Sequence, residues 1–524
     1  LTIASYLKER GLEVRIVNLA LKMFDRRFDV RRFLERTRAR AIGIDLHWLP
    51  HAHGALEIAS LVRTTHPDVP VIFGGLSASY FHDELARYPQ VDYVLRGDST
   101  EQPLYELLMA LRDGGSVEQI PNLTYRCGGE IRTNPLAWVP ATLDYADVRP
   151  ELLIEMVLRH RDPTGAMPFR GWWRDPITMV LPLKGCAYEC ATCGSSRTSC
   201  SNLTQRTGPA FRSPDSLVAN ARSIARFSRA PIVIPGDVLQ GGREHAEALV
   251  EGLGRSGISN EIMFEFFDLP PPDYVAKIDR CIKRWSFEIS PESHDPAVRH
   301  ALDGESNYTN DAFEAFLRTA LATRCRRIDV FYMIGLPQQT RESVRATVEY
   351  CGRLLALGDR RLNCFVSPMG PFVDPGSRIF EHPERFGYRL FARTLEEHRQ
   401  LLIQPSWEAI LNYESRWMSR TELVDATYEA AERLNALKRI HGRISARRAA
   451  AVHARIEEAR QLRARLASTA QASGAAEPDE RLRGEINRFS MSTVCDKREL
   501  AWPARLFNFR ISAILRATAA ALRH

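Results

Sequence analysis

Two successive stretches of the chain alternate short runs of Val, Ile and Leu with longer segments of helical period. In the first, residues 1 to 125, "EVRIVNLA", "ARAIGIDL", "VPVIFGG" and "VDYVLRG" read as strands, and "GALEIASLVRTTHP" reads as a helix between the second and third. Apolar strands separated by helices predict a parallel sheet covered on both faces, a doubly wound, Rossmann-like domain. Such a domain normally opens on a strand. This chain opens on the helical "LTIASYLKERG", so the expectation is a front domain lacking its first strand. Residues 126–170 read as a link, with a small hairpin around "NLTYRCGGEIRTN".

A second alternating series fills residues 171–390. Its strands are "PITMVLPLKG", "APIVIPGD", "EIMFEFFDLP", "RWSFEISPES", "RIDVFYMIGLP" and "LNCFVSPMGP", with helical stretches between most of them. Six such units predict a partial (β/α)6 barrel of the TIM type, with function at the carboxyl ends of the strands. From 391 to 467 the period is helical. Residues 468–524 hold a small-residue linker, "STAQASGAAEPDE", and an amphipathic tail, "PARLFNFRISAILRATAAALRH". The overall expectation is an α/β protein: a doubly wound domain, a partial barrel and a helical C-terminal region.

With 524 residues, more than one core is expected. No apolar run reaches membrane-spanning length and no secretory signal is recognisable. Ten cysteines spread over a chain of this size argue for reduced thiols in a cytosol rather than a disulfide framework. The net charge of +7 is uneven. Residues 431–524 carry 19 Lys/Arg against 9 Asp/Glu, so the remainder is close to neutral and the basic character belongs to the tail. A terminal segment of this kind usually docks on its own protein. Peripheral membrane contact, with Leu506, Phe507, Ile511, Ile514, Leu515 and Leu522 on one face and Arg505, Arg516 and Arg523 on another, is the alternative. Nothing beside the charge reads as a nucleic-acid module.

The densest chemistry is "KGCAYECATCGSS", Lys184 to Ser196, which places Cys186, Cys190 and Cys193 in C-x3-C-x2-C spacing just after the first barrel strand. Thiolates select zinc, copper or iron–sulfur clusters. A structural zinc site needs four protein ligands, and Cys200 is the available fourth. A cubane with three thiolates leaves one iron open to a ligand that is not protein. The loop resembles the signature of the radical S-adenosylmethionine (SAM) enzymes, in which that open iron binds the amino and carboxylate groups of SAM. The resemblance implies a 4Fe–4S cluster on Cys186, Cys190 and Cys193, and reductive cleavage of SAM to a 5′-deoxyadenosyl radical. The family usually has an aromatic residue before the last cysteine. Here Thr192 stands there, and Tyr188 lies nearby.

Later strand ends extend the resemblance. "PGD", with Gly236 and Asp237, occupies the place of the family's Gly-Gly-Glu turn at the SAM amino group. "EISPESHDPAVR" is similar to the ribose-contacting motif, through Ser290 and Glu292. "YMIGLPQQT" is similar to the adenine-side motif, through Met333, Ile334 and Gly335.

Three loops of the front domain fall at carboxyl strand ends, where open α/β sheets bind ligands: "DLHWLPHAHG", "GGLSAS" and "RGDSTEQP". In this order they resemble the cobalamin-binding domain fused ahead of many radical SAM enzymes. The resemblance implies a cobalamin site with Asp45, His47 and Trp48 at the lower face, Gly74 and Gly75 approached closely by the nucleotide tail, hydroxyl contacts from Ser77 and Ser79, and Gly97 in the third loop. Related cobalamin enzymes ligate cobalt through Asp-x-His-x-x-Gly. This chain has Pro50 in place of that Gly, so packing of Trp48, His47 or His51 on the lower face is expected rather than ligation. A direct metal site on His47, His51 and His53 and a sheet that has lost its cofactor are the alternatives.

The family's commonest reaction is methylation of an unactivated carbon, in which cobalamin carries the methyl group from one SAM and a second SAM supplies the radical. The expectation is therefore a C-methyltransferase acting on a small molecule or lipid, with an electron donor such as a flavodoxin or ferredoxin. The alternatives are a cyclase or rearrangement enzyme with the same cofactors, and a non-enzymatic cobalamin- or metal-binding protein. A cytoplasmic location follows from the thiols, with membrane association if the tail binds lipid.

Overall fold

The computed structural model of the protein describes residues 1–304, 306–473, 497–502 and 508–522. The front domain is a five-stranded sheet of β1 (Ile42–Asp45), β2 (Val71–Gly74), β3 (Tyr93–Leu95), β4 (Leu123–Cys127) and β5 (Glu130–Thr133), paired in that order. The first three strands are parallel and the last two antiparallel. The hairpin expected in the link therefore continues the front sheet past residue 125. Helices Ala52–Thr65 and Glu101–Asp113 cover opposite faces, burying Leu56, Ala59 and Val62 in one case and Leu107 in the other.

The first expected strand, "EVRIVNLA", does not form. Residues 12–18 make no ladder, and Val14 and Ile16 pack instead on Leu152 and Met156 of helix Glu151–His160. A β-prone run becomes a strand only where a neighbour accepts its backbone bonds, and no strand among the described residues lies beside it.

All six expected barrel strands form one parallel sheet. Along the chain come β6 (Thr178–Met179), a small antiparallel pair β7 (Leu183–Lys184) and β8 (Ala210–Phe211), then β9 (Ile232–Ile234), β10 (Ile262–Phe266), β11 (Trp285–Glu292), β12 (Ile328–Ile334) and β13 (Leu362–Pro368). The sheet order is β6-β9-β10-β11-β12-β13. Alternation sorts the side chains. Phe287 and Tyr332 meet Phe316 and Tyr350 of the outer helices, so Glu288 and Met333, one residue along, face the lumen.

The C-terminal region is helical apart from a two-stranded sheet, β14 (Tyr388–Leu390) with β15 (Tyr413–Ser415). Helix Arg420–Ile440 packs on helix Arg341–Leu355 and on β13. Helix Ala446–Ser473 runs into the expected linker, and residues 474–480 of that linker lie outside the described residues. Helix Ile511–Ala521 docks on helices Glu151–His160 and Pro214–Phe227. Its Ala513 is buried, whereas Ile511, Leu515 and Leu522 face outward. Ile514 is half-buried and Arg516 exposed, while Leu506, Phe507, Arg505 and Arg523 lie outside the described residues. Among the described residues no helix is long and apolar enough to cross a membrane.

Three regions meet at His398. Its ring is flanked by Phe81 of the front domain and by Phe372 and Phe380 beyond the last barrel strand. Nδ1 faces the Thr394 carbonyl at 2.7 Å and Nε2 faces Asn412 Nδ2 at 2.9 Å. Burial drives the imidazole from 6.5 down to about 4. The unfolded chain therefore takes up a proton that the native state refuses. Stability is expected to be flat above pH 6.5 and to fall by about 3 kcal/mol as pH drops from 6.5 towards 4. Urea unfolding at pH 7.5 and at pH 5 measures this, and His398→Gln should flatten the slope.

Candidate functional site

The cysteine loop is built to be rigid. It leaves β7 through Gly185, whose φ of 83° is left-handed, and ends in helix Arg197–Thr204, capped by the Ser196 hydroxyl. Gly185 also makes room for Arg206, because a Cβ there would stand 2.6 Å from that side chain. Two barrel loops clamp it. From the loop after β13, Asp374 Oδ2 accepts the Gly194 N–H at 3.2 Å, the Gly376 carbonyl accepts from Ser199 at 2.7 Å, and Arg378 donates to the Glu189 carbonyl at 2.5 Å. After β11, the Leu302 carbonyl accepts the Ala191 N–H at 2.9 Å, and Gly304 lies against Cys190, where a Cβ would stand 3.0 Å from Sγ.

Cys186, Cys190 and Cys193 are all half-buried on this loop. Cys200, the fourth ligand of the zinc alternative, is buried in the following helix and donates to the Ser195 carbonyl at 3.3 Å. Burial pushes its thiol up to about 12, the wrong direction for a thiolate ligand. Among the described residues no three His, Cys, Asp or Glu side chains converge on a single-ion site, and this includes His47, His51 and His53. Three half-buried thiols that do not converge on one ion suit a cluster, whose ligands spread over several metals, better than one zinc ion.

The front-domain residues meet at one cleft of 2580 Å³, lined by Asp45, His47, Gly74, Gly75 and Gly97 and also by Gly185, Gly194 and Ser195 of the cysteine loop. Trp48 is 57% exposed, its ring edge-on to His47 at 4.9 Å. Burial lowers His47 below the usual imidazole range, leaving it neutral at pH 7. Several of these residues also serve the fold. The close approach that Gly75 permits is to the chain itself, because at φ 113° its Cβ would stand 2.6 Å from His47 N and the Leu46 carbonyl carbon. Ser77 Oγ donates to the His47 carbonyl at 2.9 Å. Ser79 Oγ donates to the Gly75 carbonyl at 2.8 Å and accepts the Gly97 N–H at 2.9 Å. The two hydroxyls expected to contact the cofactor thus tie the three loops together.

The barrel residues divide similarly. Asp237 is buried and spends its carboxylate on the N–H groups of Leu239 and Phe267, at 2.9 and 3.1 Å, and burial pushes it up to about 6. The Gly236 N–H points instead at Glu265 of β10, which sequence reasoning missed. Ser290 and Glu292 lie in the irregular end of β11, with Glu292 at φ 67°. Met333 faces the lumen, but Ile334 is fully buried in the outer core. Gly335 (φ 100°) makes room for Tyr413, whose hydroxyl would stand 3.0 Å from a Cβ. Tyr188 stands edge-on to Phe267 at 6.1 Å, an aromatic pair beside the cysteine loop.

Also missed were three acids in one row. Glu265 pairs in register with Glu288, and Glu288 with Asp329. Burial, with the neighbouring Glu265 and Asp329 charges, pushes Glu288 up to about 8, so it holds its proton at pH 7. The signal was a lone acid inside each of "IMFEF", "WSFEIS" and "IDVFY", strands otherwise apolar.

The front domain is fastened over the barrel. Arg206 forms a bidentate pair with Asp98 at 2.5 and 3.0 Å, Lys184 reaches Ser99 at 3.2 Å and Glu101 at 3.3 Å, and Tyr80 donates to Glu381 at 2.7 Å. Both cations come from the small β7–β8 region, so the cysteine loop and the carboxyl end of β3 are held together.

Residues 1–105 match the family model of the B12 binding domain. The match takes in the first three strands of the front sheet. Among solved structures, TsrM, a radical SAM methyltransferase from Kitasatospora setae with cobalamin and a 4Fe–4S cluster bound, superposes with a TM-score of 0.60 at 17% identity, over 83% of this chain and 87% of that one. OxsB, a cobalamin-dependent SAM radical enzyme with aqua-cobalamin and SAM bound, gives 0.55 at 12% identity, over 100% of this chain and 76% of that one. The chain has the fold of the cobalamin-dependent radical SAM enzymes. Two curated relatives are more partial matches. The hopanoid C-3 methylase of Methylococcus capsulatus is 22% identical over 50% of this chain and 46% of its own length. An uncharacterized methyltransferase of Pyrococcus horikoshii is 25% identical over 28% of this chain and 29% of its own. The chain thus matches less than half the length of either.

Proposed function

We propose that this protein is a cobalamin-dependent radical SAM methyltransferase acting on an unactivated carbon of a small-molecule or lipid substrate. The carrying observation is that one cleft is walled both by the strand ends of the B12-binding domain and by the flanks of a three-cysteine loop. When bound, a 4Fe–4S cluster and cobalamin would supply one-electron cleavage of SAM and methyl carriage.

The chain's own residues would do the positioning. Cys186, Cys190 and Cys193 would hold the cluster. Gly236, Ser290, Glu292 and Met333 would contact SAM, with Tyr188 and Phe267 supplying the aromatic face that Thr192 lacks. Asp45, His47, Trp48, Gly74 and Gly97 would line the corrin, and a neutral His47 suits packing under it. Glu288 would keep a proton in the lumen, presenting a hydrogen-bond donor where an ionised carboxylate would repel anionic groups. Arg206 and Lys184 would keep the two cofactors facing each other. Methyl transfer is favoured because TsrM and both curated relatives are named as methyl-transferring proteins.

The deciding experiment is anaerobic incubation with SAM, hydroxocobalamin and a strong reductant, counting S-adenosylhomocysteine against 5′-deoxyadenosine. One of each per methylated product is expected. 5′-Deoxyadenosine alone, with a product of unchanged carbon count, would mean cyclisation or rearrangement. No SAM cleavage by cluster-loaded protein would leave a cofactor-binding protein and sink the enzymatic reading.

A further inference from the structure

Helix Ile511–Ala521 is inverted for a helix that only completes a core. Its inward side is mostly small: Ala513 is buried, and Ala517 and Ala521 are half-buried beside Ile514. Its other bulky residues turn out. Ile511 is 60% exposed, Leu515 62% and Leu522 73%, and their positions at i, i+4 and i+11 set them in one stripe. The helix is nonetheless fixed to the protein through its approach. The Asn508 carbonyl accepts the Arg229 N–H at 2.7 Å, the Phe227 carbonyl accepts the Arg510 N–H at 2.8 Å, and Asn508 Nδ2 donates to the Arg174 carbonyl at 3.0 Å. The apolar surface continues onto the body. The Phe509 ring lies 5.2 Å from that of Trp173, which is exposed, as is Phe169 four residues before it. A fixed apolar patch of this kind marks a docking surface.

The charge around it says what covers it. Residues 500–524 hold four Arg and no Asp or Glu. Arg516 is exposed on the flank of the stripe, Arg170 and Arg174 are exposed beside Trp173, and Arg222 and Arg226 are exposed on helix Pro214–Phe227, against which the helix packs. An apolar stripe with aromatic rings, rimmed by Arg, suits the headgroup level of an anionic bilayer. A second copy of this chain would instead set Arg against Arg.

We propose that helix Ile511–Ala521, with Phe169 and Trp173, is a peripheral docking face for an anionic lipid bilayer. Ala166, Met167 and Pro168, just before Phe169, line the cleft, so the face adjoins the cleft rim. The face needs neither cofactor to act, and its failure would leave the methyltransferase reading untouched.

The test is sedimentation of the full chain with vesicles of phosphatidylcholine alone, or of phosphatidylcholine with about as much phosphatidylglycerol. At low salt the wild type should bind the mixed vesicles at least about tenfold more tightly than phosphatidylcholine alone. Leu515→Ser with Leu522→Ser should weaken mixed-vesicle binding at least about tenfold, and Arg516→Glu about fivefold, with thermal unfolding unchanged because these side chains are exposed. Ile440→Ser, at an exposed residue closing helix Arg420–Ile440, should bind like the wild type. If the double variant fails to fold, Arg516→Glu and the lipid comparison still decide. A wild type that stays in the supernatant with mixed vesicles, or a folded double variant that binds as tightly as wild type, would overturn the proposal. So would a wild-type dimer in light scattering that the double variant splits, without lipid binding, since the stripe would then face a second copy.

Discussion

Cys190→Ala should bind less than one iron per chain under conditions that load about four on the wild type, and its 5′-deoxyadenosine formation should fall to assay background. Iron and sulfide analysis with the absorbance spectrum reads the first, and chromatography of the SAM products reads the second. The effect is large because, on the cluster reading, three thiolates leave one iron without a protein ligand, and losing another removes a second corner. Cys200 does not refill it: its thiol is buried, donates to Ser195 O and is pushed up to about 12. The loop should nevertheless stay folded. The Ala191 N–H to Leu302 bond and the Gly194 N–H to Asp374 bond do not involve the sulfur, so unfolding stability should stay within about 1 kcal/mol of wild type. Cys200→Ala is the matching control. It should keep its iron, whereas a zinc centre completed by Cys200 would lose its metal.

Gly75→Ala should destabilise the front domain by about 3 kcal/mol and weaken hydroxocobalamin binding at least about tenfold. Two costs combine: an L-residue at φ 113°, and a Cβ placed 2.6 Å from backbone atoms of Leu46 and His47 that no rotamer change can move aside. Relief would push the β1 loop away, taking His47 and Trp48 with it and breaking the bonds from Ser77 and Ala78 to that loop. Gly74→Ala separates structure from binding. Its Cβ would meet only Leu95 O, at 3.9 Å, so the fold should tolerate it, and any loss of cobalamin affinity then reports a bound nucleotide tail beside Gly74. Thermal unfolding and absorbance titration with hydroxocobalamin give both readings. Equal cobalamin affinity in Gly75→Ala and wild type would place the ligand elsewhere.

Much of the architecture was legible because it is written locally. The six barrel strands stand out as apolar runs bounded by Gly, Pro and acids, and all six pair as one sheet. The cysteine loop was legible for a different reason: its three sulfurs lie within eight residues, so the chemistry needs no long-range contact to be seen. "EVRIVNLA" misled because strand character is a property of a pair of segments, and its partner is not in the sheet described here. The hairpin at 123–133 was placed in the link because an antiparallel continuation of a parallel sheet leaves no mark in period or composition.

What composition and period determined is the kind of molecule: a parallel α/β front domain, a partial six-stranded barrel behind it, and a thiol loop one ligand short of a closed metal site. What only tertiary structure decided is which polar groups serve the fold and which remain for a ligand. Ser77, Ser79 and Asp237 read as cofactor contacts in one dimension, and in space their oxygens also bond backbone N–H and carbonyl groups of nearby turns and loops. Glu288 reads as an ordinary strand residue, yet folding sets it between two acids. A hydrogen bond or a shifted proton affinity depends on groups a few ångströms apart, often dozens of residues away in sequence, and that proximity exists only once the chain has packed.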